Sequence, residues 1–270
     1  MPRPGTAAAK GPRLDVWLFG HGLAESREKA QALVMAGRVR VNGVPVTKPG
    51  APVQGADAVD VVPGPSHVGR GAMKLEGALD AFAIDPAGRL CVDVGASTGG
   101  FTQTLLRRGA ARIYAVDAGR GQLHESLRGH ARVVVRERTN ARRLSPKDVP
   151  EACSLAVMDV SFISVRKILP ALLSVLAPAA DVVVLVKPQF EVGRGQVGRG
   201  GLVKDRALHA QAVREVARSA QEDAGFGVLA GCPSPLTGAE GNREFFLHLR
   251  AGAFAMPPAA MDALVERTTC

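Results

Sequence analysis

The sequence predicts an α/β chain, a doubly wound sheet preceded by a small α+β domain. Three observations carry this expectation. Beyond residue 70, seven short apolar runs alternate with segments of helical spacing. A glycine-rich turn joins the first of those runs to the helix behind it. A Gly- and Pro-rich stretch, "VPGPSHVGRGAMK", breaks both periodicities and marks a boundary between two parts.

The first part, residues 1–62, opens on helical spacing at Leu14, Trp17 and Leu18, stopped by Gly22. Ser26 is placed to cap a second helix carrying Ala30, Leu33 and Val34, which Gly37 ends. "RVRVNGVPV" then alternates around Asn42-Gly43, a two-residue hairpin signal. Residues 63–70 are the expected linker. In the second part, residues 71–270, helical spacing resumes in "KLEGALDAF". Strands are predicted at "RLCVDVG", "ARIYAVDA", "ARVVVRE", "SLAVMDVSF", "DVVVLVKPQF", "GFGVLAG" and "REFFLHLR". Helices are predicted at "GGFTQTLLRRG", "VRKILPALLSVLA" and "KDRALHAQAVREVARSAQEDAG". Strands that are apolar on both faces suit a sheet covered by helices on each side.

Composition narrows the function. A net charge of +9 with a pI near 9.9 favours an acidic partner, and nucleic acid is the first candidate. The four cysteines are not at metal-ligand spacing, so no metal site and no disulfide framework is expected, and a reducing, cytoplasmic setting is. No apolar run approaches the length of a membrane helix, and the N-terminus lacks the apolar stretch of a secretory signal.

"CVDVGASTGGFTQTLL" is the most informative segment. Its strand ends near Val94, and Gly95, Gly99 and Gly100 allow a ligand to approach backbone, with Ala96 between them and the Ser97 and Thr98 hydroxyls as added donors. Asp117 ends the next strand, where a carboxylate can accept both hydroxyls of a ribose. No Walker pattern is present. Asp93 would repel a pyrophosphate yet suits a cofactor with a cationic sulfonium and an amino-acid tail, which fits S-adenosylmethionine. On these residues alone a dehydrogenase stays open as well.

Further residues sharpen the picture. The strand plan brings Lys74, Asp159, Lys187 and Glu244 towards one edge of the sheet. "DVGASTGGFT", "YAVDAGRGQL", "MDVSFIS", "VKPQFEVGRG" and "GNREFF" resemble the TlyA group of ribosomal RNA ribose methyltransferases over nearly the whole chain. The front part, with "AGRVRVNG" and "VTKPG", resembles the S4-type RNA-binding domain. The resemblance implies a Rossmann-like methyltransferase sheet, and 2′-O methylation of cytidines in small- and large-subunit ribosomal RNA. It implies a catalytic tetrad of Lys74, Asp159, Lys187 and Glu244. The cofactor, S-adenosylmethionine, would lie against Asp93, Gly95, Ala96, Ser97, Thr98, Gly99, Gly100, Asp117, Asn140 and Asp159. Members that act on the large subunit only are shorter at both ends, so the extension up to Arg13 leans towards both subunits. The linker carries His67 where relatives often have an aromatic.

The chemistry asks for such a tetrad. A ribose hydroxyl is a poor nucleophile at neutral pH and needs a base, or a cation for its developing alkoxide, within hydrogen-bond range. Desolvation and a neighbouring cation lower the pKa of a lysine enough for it to accept a proton. Lys187 is the expected base, Lys74 the hydroxyl positioner, Asp159 the link between cofactor and lysine, and Glu244 the outer orienting group. Phosphate contacts are expected from Arg13, Arg27, Lys29, Arg38, Arg40, Arg70, Arg138, Arg142 and Arg194. Arg136 and Arg143 complete a basic cluster after the third strand. "EVGRGQVGRGGLVKDR" reads as a mobile lid over RNA, and Phe162 as a stacking or core ring. Two rivals from other classes remain: a haemolysin-like membrane-active protein and a non-catalytic ribosome-binding module.

Overall fold

The computed structural model describes residues 11–35, 37–62, 69–238, 241–252 and 256–270, and the side chain of Arg194 is outside that description. The expectations for residues 1–10, most of the linker with His67, and the Arg194 phosphate contact therefore lie outside the described residues. The chain divides into two compact units, residues 1–66 and 67–270.

In the first unit, α1 (Leu14–Gly20) and α2 (Arg27–Met35) pack over the three-stranded sheet β1 (Val39–Val41), β2 (Val44–Val46) and β3 (Val59–Val61), in the order β2-β1-β3. Ser26 Oγ accepts the Lys29 amide at 3.2 Å and caps α2. Asn42 and Gly43 both have positive φ, as a type I′ hairpin turn requires, and Val41 pairs with Val44 across it. The core is Leu14, Leu18, Ala30, Val34, Val39 and Val53, all buried.

The second unit runs α3 (Gly71–Ala81), β4 (Leu90–Val94), α4 (Gly100–Arg107), β5 (Arg112–Val116), α5 (Glu125–Arg128), β6 (Val133–Arg136) and β7 (Cys153–Met158). It continues through α6 (Leu169–Leu172), β8 (Leu176–Val186), α7 (Pro188–Glu191), α8 (Arg206–Glu222), β9 (Phe226–Pro233), β10 (Phe245–Ala251) and α9 (Pro258–Thr269). The sheet order is β6-β5-β4-β7-β8-β10-β9. β4 to β8 are parallel, and β10 is antiparallel to both of its neighbours. Side chains alternate between two cores. Val92, Val94, Val182 and Val184 join α8 and α9 on one face, while Cys91, Leu155, Val157 and Leu185 join α3 and α4 on the other.

All seven predicted strands are present. The helix expected over "VRKILPALLSVLA" is not continuous: a 3₁₀ turn, the four-residue α6 and a second 3₁₀ turn replace it, and β8 begins at Leu176, before the predicted start. Pro170 is tolerated in a first helical turn only, and Pro178 blocks continuation, so the segment ends in extended backbone with a bulge opposite β7. Helix α9 was not among the predicted elements. No helix among the described residues is long and apolar enough to cross a membrane.

Candidate active site

The strand order reverses between β4 and β7, and an open α/β sheet has its crevice at that point, beyond the carboxyl ends of the strands. Here the two strands touch. The Asp159 amide donates to the Val94 carbonyl at 3.0 Å, and Gly95 turns directly over it. A Cβ on Gly95 would lie 2.3 Å from the Asp159 carbonyl oxygen, and its φ is +88°. Backbone on both sides fixes that space, so no side chain fits. Gly95→Ala is expected to weaken cofactor binding by at least ~30-fold, since either the turn or the Asp159 strand end must move. Calorimetric titration of S-adenosylmethionine checks this, and a folded variant of unchanged affinity would contradict the assignment.

The turn does not present its amides as expected. Gly95 and Ala96 both donate to the Val116 carbonyl, and the Ser97 amide donates to Asp117 Oδ2 at 2.8 Å. Gly119 donates to the other Asp117 oxygen at 2.7 Å. Asp117 thus pins the glycine turn to the end of β5, and each of its oxygens keeps a lone pair for a further donor. Gly99 also differs from expectation. Its φ is +100°, but a Cβ there would collide with Leu127 and Leu123 rather than face a ligand, so it is required by packing. Asp93 is fully buried on the α4 face of β4 and does not line the crevice. The Thr102 hydroxyl donates to its Oδ2 at 2.6 Å, and its Oδ1 has no partner. Burial pushes this carboxyl up to about 7, against the pull of Thr102, with Asp159 and Asp117 adding to the rise.

Three cavities meet at this edge. One of about 400 Å³ is bordered by Gly95, Ser97, Asp117, Asn140, Asp159 and Ile163. It lies within the size range of nucleoside pockets. Asn140 also caps a short 3₁₀ turn, its Oδ1 accepting the Arg142 amide at 3.1 Å. A smaller cavity of about 180 Å³ continues past Arg70, Ala96, Thr98 and Gly100 to Asp159 and Lys187. A third, of about 430 Å³, is bordered by Lys74, Ser161, Phe162, Lys187, Gln189 and Glu244. Ser161 borders all three.

The four expected catalytic residues form two ion pairs. Lys187 Nζ lies 2.5 Å from Asp159 Oδ1 and donates to Ser161 Oγ at 3.0 Å. Lys74 on α3 donates to Glu244, which directly precedes β10, and both are almost fully buried. Each lysine is paired with a carboxylate, Lys187 with Asp159 and Lys74 with Glu244, so the pocket balances its own charge.

Several contributors were not visible in the sequence. Ser161 is the hydroxyl partner of Lys187. Asn242 is buried, donates to the Gly201 carbonyl at 2.9 Å and accepts the Val203 amide at 2.9 Å, which ties the expected lid to the base of β10. Phe162 is 92% exposed with φ +65°, so it is not a core residue. Of the basic positions, Arg138 and Arg142 are exposed at the crevice mouth, and Arg70 is exposed with its guanidinium on the Thr237 carbonyl at 3.1 Å. Arg136 is spent on the Asp148 carbonyl. In the first unit, Arg13 and Arg27 both pair with the buried Asp15, and the Arg13 hydrogen bond is the main reason its carboxyl is held well below the usual range. Lys29 pairs loosely with Glu25, Arg38 reaches the Val62 carbonyl, and Arg40 is exposed on β1.

Comparison with known proteins agrees with this architecture. The FtsJ-like methyltransferase family matches residues 67–251, and the S4 domain matches residues 12–59. A Mycobacterium tuberculosis protein named 16S/23S rRNA (cytidine-2′-O)-methyltransferase TlyA is 52% identical over 244 residues, covering 90% of this chain and 91% of that protein. Hemolysin A of Brachyspira hyodysenteriae is 41% identical, covering 87% of this chain and 98% of that protein. A solved structure from Streptococcus thermophilus, provisionally named a hemolysin, is 39% identical with a TM-score of 0.72, covering 97% of this chain and 96% of that one. With an S4 domain ahead of a catalytic sheet that carries this crevice, the chain belongs to the FtsJ-like methyltransferase family.

Proposed function

We propose that this protein methylates the 2′-hydroxyl of cytidine in ribosomal RNA, using S-adenosylmethionine. The observation that carries the reading is the meeting of three cavities at Ser161, with Asp159 and Lys187 each bordering two of them. The first two cavities together suit an adenosine and an amino-acid tail, and the third, bordered by both lysines, is open to a nucleotide in this reading. The name of the M. tuberculosis relative supports the substrate class. S-adenosylmethionine supplies a methyl group on a cationic sulfur, which an oxygen nucleophile takes as the carbon–sulfur bond breaks.

The residues of the chain supply the rest. Asp117 and Asn140 hold the nucleoside end, and Gly95, Ala96, Ser97, Thr98 and Gly100 form the floor of the groove. Gly99 shapes it from behind, and Asp93, bonded to the Thr102 hydroxyl, holds α4 against β4 beneath it. Lys187 either takes the hydroxyl proton or holds the developing alkoxide, oriented by Asp159 and Ser161. Lys74, held by Glu244, positions the ribose from the opposite side. Residues 71–270 carry the chemistry, and the S4 domain in residues 1–62 grips RNA through Arg13, Arg27, Lys29, Arg38 and Arg40. In the catalytic unit, Arg70, Arg138 and Arg142 at the crevice offer further phosphate contacts, and Arg194 is assigned the same role from its sequence alone. Ribosomal subunits are the physical substrate in this reading, which places the protein in the cytoplasm.

Mapping 2′-O-methylated positions in ribosomal RNA from cells with and without this protein tests the proposal. Methylated cytidines that vanish with the gene support it. An unchanged map, together with no cofactor binding, would refute it, and vesicle lysis without cofactor would favour the haemolysin reading. The basic face has its own test: Arg38→Ala with Arg40→Ala should reduce the slope of log affinity against log salt by about two units, one for each phosphate no longer neutralised. RNA affinity measured over a salt series checks this, and a wild-type slope would mean that these arginines only face solvent.

A further inference from the structure

The mechanism leaves one buried carboxylate without a role. Glu191 ends α7, four residues beyond Lys187, and is 4% exposed. Its Oε2 accepts the Ser164 hydroxyl at 2.6 Å, and its Oε1 accepts the Val165 amide at 2.8 Å. Arg166 lies 3.4 Å from the same carboxylate, donates to the Glu191 carbonyl at 3.1 Å and reaches Glu215 at 3.0 Å. Burial pushes the Glu191 carboxyl up, and the Ser164 and Val165 hydrogen bonds and Arg166 oppose that rise.

The partners of Glu191 matter because of where they sit. The segment from Asp159 to Val165 follows β7, and its residues Asp159, Ser161, Phe162 and Ile163 border the cavities of the crevice. Lys187 ties its first half, through Asp159 and Ser161. Glu191 ties its second half, through Ser164 and Val165. Between these anchors stands Phe162, in the left-handed region that bulky side chains rarely adopt, its ring 5.3 Å from that of Phe190. Such a backbone persists only where its surroundings over-determine it. Both anchors belong to one short stretch, Lys187 to Glu191, so the loop and the proposed catalytic lysine form one unit.

The geometry points to Glu191 as a positioning residue that locks the Asp159–Val165 loop against the Lys187 segment and so holds Ser161 and Lys187 in register for methyl transfer. This rests on the methyltransferase reading above. Glu191 acts through the two hydrogen bonds it accepts. Glutamine keeps one of them: its amide oxygen accepts from Val165, while Ser164 Oγ, which already accepts from the Arg166 amide and Nε, has no lone pair for the amide nitrogen. Alanine leaves the loop free to relax and Ser161 free to turn from Lys187. Cofactor affinity falls by less than turnover, because Asp159, Ser161 and Ile163 of this loop border the nucleoside cavity while Gly95, Ser97 and Asp117 on its other side stay held by β5.

The test uses the full chain, S-adenosylmethionine with a labelled methyl group, and ribosomal subunits from cells lacking the enzyme. Glu191→Ala should lower kcat by at least ~30-fold with KM for subunits within about threefold and a smaller loss of cofactor affinity, and Glu191→Gln, which keeps one of the two bonds, should lower kcat by about fivefold. Ser164→Ala, which removes one of the two bonds to Glu191 and the cap on the Arg166 amide, should lower kcat by about fivefold with a small fall in melting temperature. A folded Glu191→Ala enzyme with wild-type kcat overturns the inference, as does a glutamine variant as impaired as alanine. If Glu191→Ala does not fold, Ser164→Ala decides: full activity overturns the role and a selective fall in kcat sustains it. A wild-type chain inactive on subunits would sink the methyltransferase reading itself, and this inference with it.

Discussion

Lys187→Ala and Asp159→Ala each abolish methyl transfer, with kcat reduced by at least ~10³-fold, while RNA affinity stays within a few-fold of wild type. The pair is 2.5 Å apart at the junction of the cavities, so removing either member leaves the other without its orienting partner. Interactions that matter in the transition state appear in the rate far more than in binding. The second pair behaves differently. Lys74 and Glu244 are more deeply enclosed than Asp159, and losing one member strands a buried charge at a cost of about 3–5 kcal/mol. Lys74→Ala and Glu244→Ala should therefore lower the melting temperature as well as activity, whereas Lys187→Ala should mainly lower activity. Single-turnover assays run beside thermal melts separate the two classes. Wild-type turnover in Lys187→Ala would remove the lysine from the mechanism.

A chain lacking residues 1–66 keeps its affinity for S-adenosylmethionine and loses methylation of ribosomal subunits by at least ~10²-fold. The apolar core of the first unit is separate from the two cores of the sheet, so its removal leaves both sheet faces covered. What disappears is the set of cationic side chains proposed to contact phosphates without reading sequence. Subunit methylation by the shortened protein, compared with the full chain at matched salt, measures the effect. Normal methylation would mean that the front unit serves something other than substrate capture.

Much of the scaffold was legible because it is written in local periods. Apolar runs marked each strand of the large sheet, and Asn42-Gly43 announced its hairpin because only positive φ closes so short a turn. Glycines after Val94 marked the crevice. Their individual reasons were not legible, since Gly95 answers to the carbonyl of Asp159 and Gly99 to Leu123 and Leu127, all far along the chain. Side-chain partners were least legible. Ser161, Asn242 and Glu191 are ordinary polar residues until the fold brings Lys187, Gly201 and Val165 to them. The segment after Val165 misled because its spacing was helical while two prolines forbade a helix.

The position of β10 bears on how the enzyme is born. This late strand lies inside the sheet, bonded to β8 on one side and β9 on the other. While the chain is being synthesised, β8 therefore waits as an open, apolar edge until residue 245 emerges. Lys74 waits 170 residues for Glu244. Long-range closures of this kind are slow, and an unpaired edge invites aggregation in the interval. The proposed catalytic pocket is thus completed by the same event that closes the sheet, and a nascent chain stalled before β10 holds the glycine turn without the Lys74–Glu244 pair beside it.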